Sequence, residues 1–193
     1  MNRMQVVNTL IERLNYTRYL EIGCQQDVSF SAVRAARKVG VDPVSGGTVR
    51  MASDAYFATA KESFDVIFID GDHHHAQVRR DIDNALRHLT PNGTIVMHDC
   101  MPPDRNHESL GFCGTAWRAF LTTRERPDLD SFVCDFDYGV GIVRRGLNPS
   151  VVRSGKTMDT LTYDDLIANK SLWMRPTSFD GLLARIELWR SRP

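Results

Sequence analysis

The stretch FIDGDHHHAQVRRDIDNALRHL, from Phe68 to Leu89, sets two carboxylates, Asp70 and Asp72, and three consecutive histidines where an apolar run meets a helix-like one. Three kinds of chemistry fit such a cluster: a metal site, a general base, or the polar rim of a buried strand. A further acid, Asp99, ends a second apolar run, TIVMHD. If the two runs are neighbouring parallel strands, Asp70 and Asp99 emerge at one sheet edge a few ångströms apart, and paired carboxylates there invite a divalent cation. Histidine, with a reference pKa of about 6.5, suits proton removal near neutral pH. His73, His74, His75 and His98 are therefore candidates for a base. The competing reading is that these imidazoles cap the helix beginning near Ala76 or line the cleft without titrating.

The elements that must position these groups are legible from periodicity. Met4, Val7, Leu10, Ile11 and Leu14 form the one-sided stripe of a leading helix. RYLEIG (Arg18 to Gly23) reads as a strand, FSAVRAARK (Phe30 to Lys38) as a helix and VGVDP (Val39 to Pro43) as a second strand ended by proline. SDAYFATAKES predicts a short helix from near Asp54 into FDVIFID (Phe64 to Asp70), whose unbroken apolar block marks a strand covered on both faces. Val78, Ile82, Ala85, Leu86 and Leu89 then make a helical stripe ended by TPNG, and TIVMHD follows as another buried strand. GTAWRAFLTTRERPD reads as a helix broken before Pro127, and SFVCDF and YGVGIVRR as an antiparallel hairpin. Beyond Gly146, TYDDLIANKSLWM and FDGLLARIELWR predict two helices in a more polar tail. Trp117, Phe120 and Leu121 read as core, as do the aromatics of the loop MPPDRNHESLGFCGTAW and Trp173, with acceptor lining as the alternative for the last two.

The 193 residues suit one domain, 1–193, with a core at 17–146 and a helical tail at 147–193. Its 24 lysines and arginines balance 24 aspartates and glutamates, so no field of one sign draws it to nucleic acid or an anionic membrane, and a small-molecule partner is favoured. No apolar run approaches the ~20 residues of a membrane span, and the N-terminus lacks the pattern of a signal peptide, which predicts a cytoplasmic protein. Cys24, Cys100, Cys113 and Cys134 are scattered and predict reduced, mostly buried thiols. The oligomeric state is left open, a homo-oligomer included.

In an open parallel sheet a ligand binds beyond the carboxyl ends of the strands. The first such end, EIGCQQD, has only Gly23 where a dinucleotide fingerprint needs three glycines for the close approach of a pyrophosphate. Polar side chains and a carboxylate at Cys24 to Asp27 better suit an adenosine ligand with a cationic, amino-acid-like end. S-adenosylmethionine is such a ligand: Asp42 can take the ribose hydroxyls, and Glu21 or Asp27 can face the ammonium.

YLEIGC, VGVDP, FDVIFIDGDHHHAQVRRDIDNALRHLTPNGTIVMHDCMPP and DYGVGIV, in that order between Tyr19 and Val143, resemble the class I S-adenosylmethionine-dependent methyltransferases, especially the small bacterial O-methyltransferase-like subfamily. The resemblance implies an α/β, Rossmann-like methyltransferase fold: a mostly parallel seven-stranded sheet with an antiparallel C-terminal hairpin and helices on both faces. It also implies cofactor contacts at Glu21, Gly23, Asp42, Ser53, Asp54 and Asp70. The first loop departs from the pattern, since such families often carry another glycine near Gln26 or Asp27. Metal-dependent catechol-type relatives place an Asp-Asn or Asp-Asp pair where this chain has Asp99 and Cys100. A thiol is a poor magnesium ligand, so a divalent metal is not favoured and no metal ligand is assigned.

The same comparison sets His73 where those enzymes place a catalytic lysine, three residues after Asp70, and makes it the first choice of base, with Asp70 and Asp99 as its catalytic companions. The function so implied is O-methylation of a small-molecule hydroxyl, on a sugar or secondary metabolite. The alternatives are an NAD(P)- or nucleotide-sugar-binding oxidoreductase, against which the missing glycines count, and a non-catalytic protein that binds S-adenosylmethionine.

Overall fold

The structure, a computed structural model, describes residues 1–191. Val6, Val7, Leu10 and Ile11 bury one side of α1 (Arg3–Leu14), which a capping box between Asn2 and Gln5 starts and a left-handed Asn15 stops. β1 (Arg18–Ile22), α2 (Val28–Ala32), β2 (Arg37–Val41), α3 (Ser53–Thr59) and β3 (Phe64–Ile69) follow. Next come α4 (His75–His88), β4 (Leu89–Met97), a 3-10 turn (Arg105–Glu108), α5 (Ala116–Arg124), β5 (Leu129–Cys134) and β6 (Val140–Arg145). The tail adds α6 (Tyr163–Met174), β7 (Pro176–Thr177) and α7 (Phe179–Arg190).

The seven strands form one sheet in the order β2-β1-β3-β4-β6-β5-β7. β1 to β4 run parallel, and β6 is antiparallel to both β4 and β5. Register sets the functional edge: Ile22 stands opposite both Val41 and Ile69, and Ile69 opposite Met97. Gly23, Asp42, Asp70 and His98 therefore leave the sheet at one level. Strand alternation sends Leu20, Ile22, Ile67 and Ile69 into a core under α4 and α5, and Tyr19, Val66 and Phe68 into a second core under α1 and α7. Both faces are covered, which is why FDVIFI reads as a continuous apolar run.

Three expectations are corrected in detail. The helix expected over Phe30 to Lys38 ends at Ala32, because the Asn8 side chain accepts from Arg34 N and donates to the Ala32 carbonyl, while Lys38 Nζ donates to the carbonyls of Phe30 and Val33. β2 accordingly begins at Arg37. TPNG is not a free turn but lies within β4, where the ladder to β3 shifts register between Phe64 and Val66. The seventh strand is the short β7 of the tail, parallel to β5, whereas the segment beside β2 makes a single bridge, Val41 to Val49.

Arg124, fully buried, ties the tail to the core: its guanidinium donates to the carbonyls of Trp173, Ser150 and Leu172 and to Asn148 Oδ1. Trp173 is buried in the same region, so its alternative role as an acceptor wall falls away. Among the described residues no helix is long and apolar enough to cross a membrane.

Candidate active site

Two adjoining cavities, of about 420 and 560 Å3, open on the carboxyl edge and share Gly23, Gln25 and Asp70 in their walls. Gly23 has φ +89°, and a Cβ there would lie 2.2 Å from the Asp70 carbonyl oxygen, so only glycine lets the first loop cross the exit of β3. The remaining turns of that loop use left-handed Gln25 (φ 45°) and Asp27 (φ 62°), close to where the resemblance leads one to expect another glycine, near Gln26 or Asp27. Glycines are instead supplied from across the cleft. Asp27 Oδ1 accepts from Gly47 N at 2.6 Å, and a Cβ on Gly46 would meet the Gln25 carbonyl at 2.4 Å.

The 560 Å3 cavity is bounded by Asp42, Ser53 and Asp54, with Gln77 and Asp81 of α4 opposite. Asp42 Oδ2 accepts from Cys24 N and Gln25 N, both at 3.0 Å, and Oδ1 from Val44 N and Ser45 N at 2.8 and 2.9 Å. Burial works to raise its pKa, and these amides more than reverse that, leaving it lowered. The carboxylate read from the sequence as a ribose ligand thus braces the two loops that wall the cavity. Ser53 Oγ accepts from Gln77 Nε2 at 3.2 Å, and Asp54 pairs with Arg80 at 3.1 Å. Asp81 is buried, and its carboxyl is pushed up to about 6 by desolvation.

In the 420 Å3 cavity Glu21 is buried and accepts from the Tyr19 hydroxyl through one oxygen, while Oε1 has no partner. Burial raises its pKa to about 8. Glu21 belongs to the lining of this cavity, and a buried carboxyl oxygen without a partner is an acceptor for a cationic donor such as an ammonium.

The cluster around Asp70 and Asp99 is denser than its sequence. His73 Nε2 lies 3.4 Å from Asp99 Oδ2 and 3.8 Å from Asp70 Oδ1, and its Nδ1–H donates to the Phe112 carbonyl. Its pKa is raised, first by the neighbouring Asp70 carboxylate, against desolvation. His74 caps α4, its ring accepting from Ala76 N at 3.3 Å, and His75 is buried between Thr115 and Asp159. The helix-capping reading therefore holds for His74, and only His73 of the three turns into the cleft. Cys100 is fully buried and faces away, packed near Gly141 and the His98 carbonyl. All four cysteines are unpaired and buried.

His98, a weaker candidate in the sequence, joins the two acids: Nδ1 is 3.3 Å from Asp70 Oδ1 and 3.2 Å from Asp99 Oδ2, and Nε2 is 3.6 Å from Asp137 Oδ1. Desolvation opposes its charge, but Asp137, Asp70 and Asp99 outweigh it and carry the pKa to about 11. Arg3, from the first turn of α1, sets Nε 3.4 Å from Asp70 Oδ2 and Nη1 3.2 Å from Asp137 Oδ2, while its backbone N–H donates to Asp137. Sequence reasoning missed Arg3, Asp137 and the hold of the Phe112 carbonyl on His73. Arg3 is one polar residue of an amphipathic helix and carries no local signal, and Asp137 was visible only as part of the turn DYG.

Asp70, His73 and Asp99 each offer one ligand atom within 4.8 Å of the others, a spacing compatible with a metal ion. Against this stand Arg3, from the first turn of α1, and His98, at the end of β4, whose raised pKa favours the charged ring beside Asp70 and Asp99.

Residues 9–100 match the family described as a methyltransferase domain. Comparison with curated proteins returns no match. Among solved structures, the O-methyltransferase from Bacillus cereus in complex with SAH aligns with a TM-score of 0.59 at 15% identity, over 75% of this chain and 80% of that one. The SAH-bound methyltransferase PaMTH1 of Podospora anserina aligns at 0.55 and 19% identity, over 75% and 78%. The O-methyltransferase TomG of Streptomyces achromogenes, involved in tomaymycin synthesis and in complex with SAM, aligns at 0.55 and 16%, over 74% and 79%. The level strand ends, the paired cavities and the match over residues 9–100 agree: that part of the chain is similar to a methyltransferase domain, and the chain shares the fold of these methyltransferase structures.

Proposed function

We propose that this chain, working as one domain with its tail, transfers the methyl group of S-adenosylmethionine to a hydroxyl of a small-molecule acceptor, a sugar or a secondary metabolite, with His73 as general base. The observation that carries the reading is the orientation of His73: the Phe112 carbonyl holds Nδ1–H, so the neutral ring presents the lone pair of Nε2 to the cavity beside Asp99 and Asp70. The residues fit the cofactor. The 560 Å3 cavity, with Ser53 and Asp54 in its wall and Asp42 bracing its loops, takes the adenosine, and Gly23 lets the backbone approach. Glu21 Oε1 receives the ammonium, and Asp70 stands where the two cavities meet. When bound, the cofactor supplies an electrophilic methyl on a sulfonium. His73 Nε2 accepts the acceptor's hydroxyl proton as the oxygen takes the methyl group, and Asp70 and Asp99 hold the resulting imidazolium.

No divalent metal enters this reading, because Arg3 and His98 supply the positive charge beside the two carboxylates. The balanced net charge of +0 favours a small acceptor over nucleic acid, and the four unpaired thiols favour the cytoplasm. Isothermal titration with S-adenosylmethionine and its demethylated product tests the assignment, and absence of binding by either overturns it. Transfer to hydroxyl acceptors, lost in His73→Ala with product binding retained, separates an enzyme from a non-catalytic binding protein.

A further inference from the structure

The mouth of the 420 Å3 cavity carries two aromatic rings that the described residues leave about half exposed. Phe112 is 57% exposed, contrary to the expectation that the aromatics of its loop pack into the core, which Trp117 of the same loop does, and Tyr138 of the β5–β6 turn is 48% exposed. The His107 ring sits between them, 5.0 Å from Phe112 and stacked on Tyr138 at 5.7 Å. The edge of this group reaches His98, whose ring is 6.2 Å from Tyr138.

Neither exposed ring hangs on a free loop. Asp137 and Tyr138 are both left-handed, φ 50° and 58°, and Gly139 follows at 87° with room for no Cβ, which would lie 2.5 Å from Met101 N. A bulky side chain disfavours that conformation, so the turn holds Tyr138 at the rim against its own backbone preference. Phe112 belongs to the segment whose carbonyl orients His73, and two residues on, Gly114 packs so closely that a Cβ would meet the His73 carbonyl oxygen at 2.5 Å. Thr115 N then donates to that same carbonyl at 2.8 Å. One segment thus presents an open ring to the mouth and fixes the base at the floor.

We propose that Phe112 and Tyr138 are the acceptor-specificity residues of this site, forming with the His107 ring between them an aromatic wall against which the flat face of a ring-bearing acceptor lies, so that a hydroxyl on its edge reaches His73 Nε2. The inference rests on the hydroxyl-methylation reading and names the acceptor's chemistry: a flat ring face next to a hydroxyl, which a phenolic ring or the C–H face of a pyranose provides. Acyclic hydroxyl compounds offer no such face.

The test is saturation-transfer NMR on the protein saturated with S-adenosylhomocysteine, using catechol, methyl glucopyranoside and glycerol as probes. A ring probe is expected to receive saturation, glycerol none, and the responding probe says which kind of ring the site takes. Phe112→Ala and Tyr138→Ala are each expected to weaken that probe about three- to tenfold, while Phe112→Trp restores it. Calorimetric affinity for S-adenosylhomocysteine is expected to stay within about twofold in all three variants, since neither ring reaches the adenosine cavity. The inference is overturned if no ring probe binds the saturated protein, if glycerol binds as well as the rings, or if the double alanine variant binds the rings unchanged. Failure of S-adenosylhomocysteine itself to bind is read before any probe is added; it overturns the methyl-transfer reading and this inference with it.

Discussion

Asp42→Asn keeps the side chain's size and removes its charge, and so separates a loop brace from a direct cofactor ligand. The wild-type carboxylate accepts four backbone amides, two on each oxygen, at 2.8 to 3.0 Å. An asparagine carbonyl can keep one pair, but its NH2 then faces the other two N–H groups, so two hydrogen bonds to a charged acceptor are lost. At roughly 1.5–3 kcal/mol each the loss sums to about 3–6 kcal/mol. We expect the lower end, about 3 kcal/mol, because the loop amides are only partly buried and water recovers some of the loss. The pH dependence has a definite sign. The folded pKa is lowered, so the stabilisation is complete above the unfolded value of about 3.9 and disappears as pH falls through the folded pKa. Urea unfolding followed by circular dichroism, without cofactor, is expected to show the full deficit of the variant at pH 7 and a shrinking one below about pH 4. The reasoning is refuted if the variant unfolds within about 0.5 kcal/mol of wild type at pH 7 while its affinity for S-adenosylhomocysteine collapses, since the carboxylate would then be spent on the ribose.

Other expectations follow from the same geometry. Gly23→Ala combines a left-handed backbone with a Cβ 2.2 Å from the Asp70 carbonyl, and should cost about 2–4 kcal/mol by urea unfolding; a neutral result would refute the close approach. His73→Ala should lower kcat by about 10²–10⁴ with product binding retained, and the wild-type rate should rise with pH through a pKa above 6.5, as the raised imidazole loses its proton. Glu21, at about 8, is protonated in the free protein at pH 7, so binding a cationic ammonium should release up to about one proton. Calorimetry in two buffers of different ionisation heat measures this release, which Glu21→Gln should abolish. Chelator should leave the methyl-transfer rate unchanged, and a strict requirement for added magnesium would refute the role given to Arg3 and His98.

Much of the fold was legible because its signals are local. FDVIFID could only be a strand covered on both faces, and the stripe Val78, Ile82, Ala85, Leu86 only a helix lying on the sheet, so the acid Asp70 and the candidate His73 fell at a strand end without any coordinates. The end of α2 was not legible, because what stops it is the side chain of Asn8, distant in sequence. The origin of the seventh strand was hidden for a similar reason: Pro176 and Thr177 become a strand only because β5 offers them an edge.

At the site, amino-acid type alone determined that carboxylates and imidazoles would gather at the carboxyl edge, and that one glycine would let the first loop pass β3. What tertiary structure decided is how those groups are used. Three adjacent histidines differ only in direction, and packing sends one to the cleft, one to a helix cap and one into the core. Asp42 became a brace when four amides converged on it, and Arg3 entered the site when α1 docked against the β5–β6 turn. Charge, pKa and exposure arise from neighbours brought together across the chain, and such long-range contacts leave no periodicity to read.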